Sequence, residues 1–194
     1  MKNKIFNLVS SLKYLILLMI IVTLFAGMVY LVAQQLLRQN ANEIPTQEAM
    51  SVIYKLSSGV PLSDFSKTDN IDMLATLEPF FQIYDSSKVL VTSSAVIGTT
   101  TPIVPNGVLL YVDEAGLANN VTWQPKTRVR AAIVVMPIND KNFTGYVVGG
   151  RSLKETEIII DKLLVVSALG WAASEFLVII SFILLNNWRS KKIS

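Results

Sequence analysis

The chain has 194 residues, of which 52% are hydrophobic and 16% are charged, and it contains neither cysteine nor histidine. This length supports one modest domain together with apolar segments. The missing residue types exclude disulfide scaffolds, thiolate and imidazole metal sites, Ser-His and Cys-His catalysis and a phosphoacceptor histidine. Because the remaining residues form no convincing catalytic constellation, we expect a protein that is not an enzyme and that has no metal site and no cofactor.

Two long apolar segments predict transmembrane helices. Residues 15–33 are 19 residues without a charge, and residues 163–185 are 23 residues with Glu175 as their single charge. At about 1.5 Å per residue, helices of these lengths reach roughly 28 and 34 Å, which is enough to cross a bilayer. A cleavable signal peptide is the alternative for the first segment, but its apolar core exceeds the roughly 7 to 15 residues of such signals.

Basic residues beside these segments predict the orientation of the chain. The tails 1–14 and 186–194 each contain three basic residues and no acidic one. Since such tails stay on the cytoplasmic side, we predict a multi-pass protein of the cell (inner) membrane whose residues 34–162 form an extracytoplasmic domain. The positive tails suit the anionic surface of a lipid bilayer, so we expect no nucleic-acid partner.

The first part of the external segment predicts mainly helix. Helix-forming residues follow the first span, Pro45 interrupts them, and an apolar helical spacing resumes from Gln47 to Leu56. The polar residues 63–70 predict a loop, and residues 71–77 predict one or two helical turns. A helix therefore leaves the membrane and packs on the domain.

From Phe80 onward the apolar spacing changes to that of strands. The segments FFQIY and VLVTS flank a polar turn at residues 85–88 and predict a hairpin. Residues 107–114 predict a short helix capped by Asn106. The sequence then returns to strands.

Residues 121–123, 129–136 and 144–148 predict a three-strand antiparallel meander, because they are rich in β-branched and aromatic residues. Together with the hairpin, the meander predicts an α+β fold with about five antiparallel strands and helices on one side. Gly149 and Gly150 predict a bulge or turn at the end of the last strand.

Ser152 and Glu155 have the spacing of a capping box, which predicts a helix that starts at Ser152. No proline or glycine separates this helix from the second span. We call residues 152–162 the lever helix, since movement of the sheet is expected to reach the membrane through it. Arg151 is expected to pair with Glu155 or Glu157 at its root.

The segments FFQIYDSSKVLVTSS, VTWQPKTRVRAAIVVMPI and GYVVGGRSLKETE resemble the extracytoplasmic PAS-like or Cache-like sensor regions of bacterial membrane sensor histidine kinases. The resemblance covers roughly residues 48–162 and both flanking spans. It implies a PAS-like domain that binds a small ligand or a protein and takes part in two-component signal transduction.

The chain has no histidine and nine residues after Leu185. We therefore expect it to lack linker and kinase domains of its own and to act as a homodimer or with a separate membrane sensor kinase. The alternative is a non-signalling envelope scaffold or anchor protein, which composition does not distinguish from a sensor.

Five residues are candidates for a ligand site, because arginine binds carboxylates through two hydrogen bonds and aromatic rings line small-molecule clefts. They are Trp123, Arg128, Arg130, Tyr111 and Tyr146. Arg128 and Arg130 are predicted to project from the same face of one strand. In the alternative interpretation, they form a solvated face and pair with acids such as Asp113 or Glu114.

Glu175 is a candidate for contact with a membrane partner, since a carboxylate costs about 2.5 to 3.5 kcal/mol near the centre of a bilayer. Gly170 and Ser174, four residues apart, permit close approach of another helix. The alternatives are that Glu175 is protonated, or that Thr23 of the first span satisfies it.

Overall fold

The computed structural model describes residues 2–115 and 118–192 and places the side chains of residues 12–113 and 118–188. The helices are α1 (Lys2–Asn40), α2 (Glu43–Ser57), α3 (Leu62–Phe65), α4 (Asn106–Ala115) and α5 (Lys154–Lys192). The strands are β1 (Ile71–Asp72), β2 (Phe80–Asp85), β3 (Leu90–Ser93), β4 (Ala95–Val96), β5 (Asn119–Lys126), β6 (Val129–Asn139) and β7 (Thr144–Ser152).

The chain divides into two compact units. The helical unit contains Met1–Leu36 and Ile159–Ser194, and the sheet unit contains Leu37–Ile158. Two helices in the described part of the chain are long and apolar enough to cross a membrane, judged by length and composition alone.

In the helical unit, the less exposed residues recur at intervals of three and four along α1, which is the spacing of paired helices. On α1 they include Leu15, Met19, Val22, Ala26 and Tyr30. On α5 they include Leu163, Ser167, Glu175, Val178 and Phe182. Along α5 the same intervals occur, with a gap between Ser167 and Glu175. Most of the other large apolar side chains of the two helices are exposed.

The sheet unit contains one five-stranded antiparallel sheet in the order β3-β2-β7-β6-β5. The predicted α+β class, the hairpin and the meander are confirmed. A separate parallel pair joins β1 to β4. Residues 71–77, predicted to form one or two helical turns, differ in part: Ile71 and Asp72 pair with Ala95 and Val96. One turn follows, in which the Asp72 carbonyl oxygen accepts the N–H groups of Ala75 and Thr76. The polar segment 63–70, predicted to be a loop, begins within the short helix α3.

Helices cover both faces of the sheet, whereas the sequence predicted them on one. Alternate residues of β2 show the division, since Phe80 and Tyr84 belong to one core and Phe81 and Ile83 to the other. The first core includes Leu109 and Val112 of α4, and the second includes Ala49, Val52 and Leu56 of α2. The sheet is thus buried on both sides, which explains the nearly continuous burial of β2 and β7.

Gly149 and Gly150 lie inside β7 in regular register, so the predicted bulge or turn is wrong. A Cβ atom on Gly149 would lie 2.1 Å from the carbonyl oxygen of Pro45, and one on Gly150 would lie 2.2 Å from the Phe80 ring. The glycines are required by close packing: the first turn of α2 rests on the backbone of β7 on one face, and the Phe80 ring does so on the other.

An interruption is present, but it lies at Ala41 and Asn42, and Pro45, predicted to cause it, is in the first turn of α2. The helix predicted to start at Ser152 begins instead at Lys154. Ser152 is the last residue of β7, where it pairs with Ala131 of β6. Strand pairing therefore continues through the residue that the local pattern assigned to the helix cap.

Candidate functional site

A buried polar network lies on the α4 side of the sheet and begins at Gln82, which is completely buried. The Tyr84 hydroxyl donates to Gln82 Oε1 at 2.9 Å and accepts the backbone N–H of Val104 at 2.9 Å. Gln82 Nε2 donates to the Pro102 carbonyl oxygen at 2.6 Å and to Ser93 Oγ at 3.2 Å. These bonds hold the segment before α4 against the sheet.

We interpret this network as one that stabilises the fold. Burial raises the pKa of Tyr84 to about 12, despite the opposing effect of the hydrogen bond from Val104. Gln82 lies between two apolar side chains of the same strand face, so a polar residue in an apolar alternation was the sequence signal for this network. Neither Gln82 nor Tyr84 was among the predicted site residues.

A second polar group, the Lys88–Asp113–Tyr146 cluster, lies at the edge of the same core. Lys88 Nζ lies 2.9 Å from Asp113 Oδ2 and 5.3 Å from the centre of the Tyr146 ring. The Tyr146 hydroxyl donates to Asp113 Oδ1. The cluster joins the β2–β3 turn, α4 and β7. Each carboxylate oxygen of Asp113 is therefore bound by a different donor.

The three groups favour the protonation states that this geometry requires. The hydrogen bond from Tyr146, followed by that from Lys88, lowers the pKa of Asp113. The hydrogen bond to Asp113 raises the pKa of Lys88. Burial, followed by the bond to Asp113, raises the pKa of Tyr146. At neutral pH the cluster contains a carboxylate, an ammonium group and a neutral phenol.

The five predicted ligand residues do not lie together in the structure. Tyr146 and Trp123 contribute to the same core, where Trp123 lies 6.5 Å from Phe80 between ring centres. Tyr111 is exposed on α4. Of the five, Tyr146 belongs to the cluster, and its partners Lys88 and Asp113 were not predicted as ligand residues.

Arg128 and Arg130 do not share a strand face, contrary to the prediction. Arg128 lies in the turn between β5 and β6 with a φ of 65°, and β6 begins one residue later. Arg130 binds Glu157 Oε1 at 2.6 Å rather than Asp113. The side chain of Glu114, the other acid considered, lies outside the described residues. The local turn thus separates two arginines that sequence spacing placed together.

The start of α5 is attached to the sheet by side chains. Arg151 binds Glu155 Oε2 at 2.8 Å, as predicted, and donates from Nε to the carbonyl oxygen of Leu77. Ser152 Oγ accepts the backbone N–H of Lys154 at 3.4 Å. Glu155, the predicted second member of the capping box, is bound to the guanidinium of Arg151.

Glu175 is bound within the helical unit. Trp171 Nε1 donates to Thr23 Oγ1 at 3.0 Å, and Thr23 Oγ1 donates to Glu175 Oε1 at 3.0 Å. The direction of these two hydrogen bonds is defined, because an indole N–H can only donate. Glu175 is 7% exposed, and its Oε2 has no hydrogen-bond partner among the described residues. Thr23 therefore satisfies half of the carboxyl group, which was one of the alternatives.

Gly170 and Ser174 lie apart from this contact. Ser174 Oγ donates to the Gly170 carbonyl oxygen of its own helix at 2.8 Å. The position of a Cβ atom on Gly170 is open, with nothing within 4 Å. Positions 170 and 175 differ by roughly 140° around a helix, so Gly170 does not face the side that meets Thr23.

Within residues 2–115 and 118–192, the structure contains no group of three or more acidic side chains placed to hold a metal ion. No protein-family model matches the chain. Comparison with curated proteins also finds no match.

Proposed function

We propose that the chain is a two-span membrane protein whose extracytoplasmic PAS-like domain binds a small ligand or a protein and transmits binding to a membrane partner. The five-stranded antiparallel sheet with its flanking helices supports the α+β sensor domain of this proposal. Two helices of sufficient length and apolarity support the membrane assignment.

The observation that carries this proposal is the position of β7. Tyr146 on this strand belongs to the polar cluster on the α4 side. Three residues later, Gly149 meets the first turn of α2 on the opposite face. The strand ends at Ser152, and α5 begins at Lys154. The strand β7 thus contacts the candidate binding side and also contacts α2, the helix that follows the first span. It leads directly into α5, the helix that contains the second span.

In this mechanism, binding on the α4 side shifts β7 against α2, and α5 transmits the shift toward the membrane. The pairs Arg151–Glu155 and Arg130–Glu157 attach the first turns of α5 to β7 and β6. A displacement of either strand therefore moves the start of the helix. The partner is a second copy of the chain or another membrane protein, which contacts the open surface at Gly170 and Ser174.

Disulfide crosslinking tests the proposal, because the natural chain contains no cysteine. Single cysteines are placed in the full chain along positions 167–182 and oxidised in native membranes. We expect crosslinks to a second copy or another membrane protein at positions 170 and 174. Phe182→Cys is the matched control, since Phe182 is less exposed, lies seven residues after Glu175 on the same side of α5, and is expected to give no intermolecular product.

Absence of intermolecular crosslinks at every position would contradict a membrane partner and favour the scaffold alternative. Crosslinks at 182 in place of 170 and 174 would also contradict the proposed contact surface. If the crosslink yield changes when a ligand of the domain is added, this would support transmission of the binding signal through α5.

A further inference from the structure

We propose that Lys88 and Tyr146 form a carboxylate-binding site that Asp113 occupies as an internal ligand, and that the ligand sensed by this domain carries a carboxylate that replaces Asp113. This inference rests on the proposed function and specifies its ligand. The Lys88–Asp113–Tyr146 cluster supplies the geometry.

The two donors match a carboxylate group. Lys88 Nζ binds Oδ2 at 2.9 Å, while the Tyr146 hydroxyl binds Oδ1. One positive charge thus faces one negative charge, and each oxygen has its own donor. A dianion such as sulfate or phosphate would leave a second charge without a partner in the cluster, so we infer a monocarboxylate group.

The donors are held by the fold, whereas the acceptor is open to solvent. The side chain of Lys88 is 19% exposed and covers the ring of Tyr146, which is 6% exposed. The Asp113 side chain is 42% exposed on α4. The exchangeable member is therefore Asp113, since its carboxylate can be hydrated when it leaves.

Exchange requires an incoming anion. If Asp113 left without replacement, the ammonium group of Lys88, whose side chain is 19% exposed, would lose its counter-charge and its hydrogen bond to a carboxylate, which is unfavourable. A ligand carboxylate restores both bonds and leaves α4 without its attachment to Tyr146 and the β2–β3 turn. Ligand binding would thereby break the polar link between α4 and β7, the strand that leads to α5, while Leu109 and Val112 keep α4 in the core.

Chemical rescue tests the site without requiring any signal. The full chain with Asp113→Ala is reconstituted in lipid nanodiscs, and its thermal unfolding is followed while sodium acetate or sodium formate is added. We expect the variant to melt below the natural chain and acetate to restore most of the loss with saturation, because a ligand stabilises the state that binds it. Acetamide and sodium chloride at matched concentration should restore nothing.

Two controls separate site binding from general salt effects. The double variant Asp113→Ala with Lys88→Met should lose the acetate response. Asp64→Ala removes the exposed ion pair of Asp64 with Lys67 and should show no rescue. The natural chain should respond only at higher acetate concentration, since Asp113 competes.

A saturable acetate response that persists without Lys88, or no response in the Asp113→Ala chain, would overturn the inference. If that variant fails to fold, Asp113→Asn keeps the side-chain shape, and acetate binding is measured by NMR titration with the same controls. If the rescue fails but crosslinks still form at positions 170 and 174, only the proposal of a carboxylate ligand is contradicted. If acetate rescues the variant but those crosslinks do not form, only the proposal of a membrane partner is contradicted.

Discussion

At the scale of single residues, Gly149 determines how closely α2 approaches the sheet. Replacement by alanine places a Cβ atom 2.1 Å from the carbonyl oxygen of Pro45 and 2.7 Å from the amide nitrogen of Ala49, and both are backbone atoms that cannot rotate away. We expect Gly149→Ala to lower the free energy of unfolding by about 1–3 kcal/mol or more, as overpacking does.

Chemical denaturation of the full chain measures this effect. Gly107→Ala is the control, because no atom lies within 4 Å of the added Cβ and the residue is in α4. It should leave stability unchanged or raise it by at most about 1 kcal/mol. Equal effects of the two substitutions would contradict the close approach of α2 to β7.

The pH dependence of the Lys88–Asp113–Tyr146 cluster is a second prediction at this scale. The lowered pKa of Asp113 gives stabilisation that is present above its ordinary value of 3.8 and lost as the pH falls through the lower value in the folded state. The raised pKa values of Lys88 and Tyr146 give stabilisation that is present below 10.5 and 10.0 and lost as the pH rises through the higher folded-state values.

A double-mutant cycle with Lys88→Met and Asp113→Asn measures the interaction at several pH values. The coupling energy should remain constant from about pH 5 to about pH 9 and decrease outside that range. A coupling energy that changes near pH 7 would show that some other group controls the cluster.

At the scale of elements, Thr23 links α1 to α5 by accepting from Trp171 and donating to Glu175. Interhelical hydrogen bonds in membranes contribute about 0.6 kcal/mol on average and up to about 1.7 kcal/mol. A double-mutant cycle with Thr23→Val and Glu175→Leu should give a coupling energy in this range, measured by equilibrium unfolding in bicelles.

Ser174→Ala is the control for this cycle, because Ser174 donates to its own helix at Gly170. Its coupling with Thr23→Val should be close to zero. Coupling of Thr23 to Ser174 that equals its coupling to Glu175 would contradict the observed pairing of the helices.

At the scale of the whole molecule, the charge of the tails predicts which side of the membrane each segment occupies. Ser86 is exposed in the β2–β3 turn, and Ser190 lies among the basic residues of the C-terminal tail. A membrane-impermeant maleimide should label Ser86→Cys in intact cells and label Ser190→Cys only after the membrane is permeabilised. The reverse pattern would contradict the predicted orientation.

The elements that the sequence predicted correctly are those with a local cause. The hairpin follows from two apolar strands around a polar turn, and the meander follows from runs of β-branched residues. The parallel pair β1–β4 was missed because its partners, Ile71 and Ala95, are far apart in the chain and the strands are only two residues long. The start of α5 was misplaced because strand pairing of Ser152 overrode its local capping pattern.

The candidate site shows the same division. Aromatic and basic side chains in strands indicated Tyr146, but nothing local connects it with Lys88 in a turn or with Asp113 on a helix. Sequence spacing placed Arg128 beside Arg130, whereas the turn rotates Arg128 away from the strand.

By itself, the sequence determined the class of the fold, the two long apolar helices and the exclusion of histidine and cysteine chemistry, because these follow from composition and from periodicity over short distances. The tertiary structure decided which face of the sheet each helix covers, why β7 contains two adjacent glycines, and which donors bind Asp113 and Glu175. Those features arise where distant segments meet, and contact across the fold leaves no local pattern in the chain.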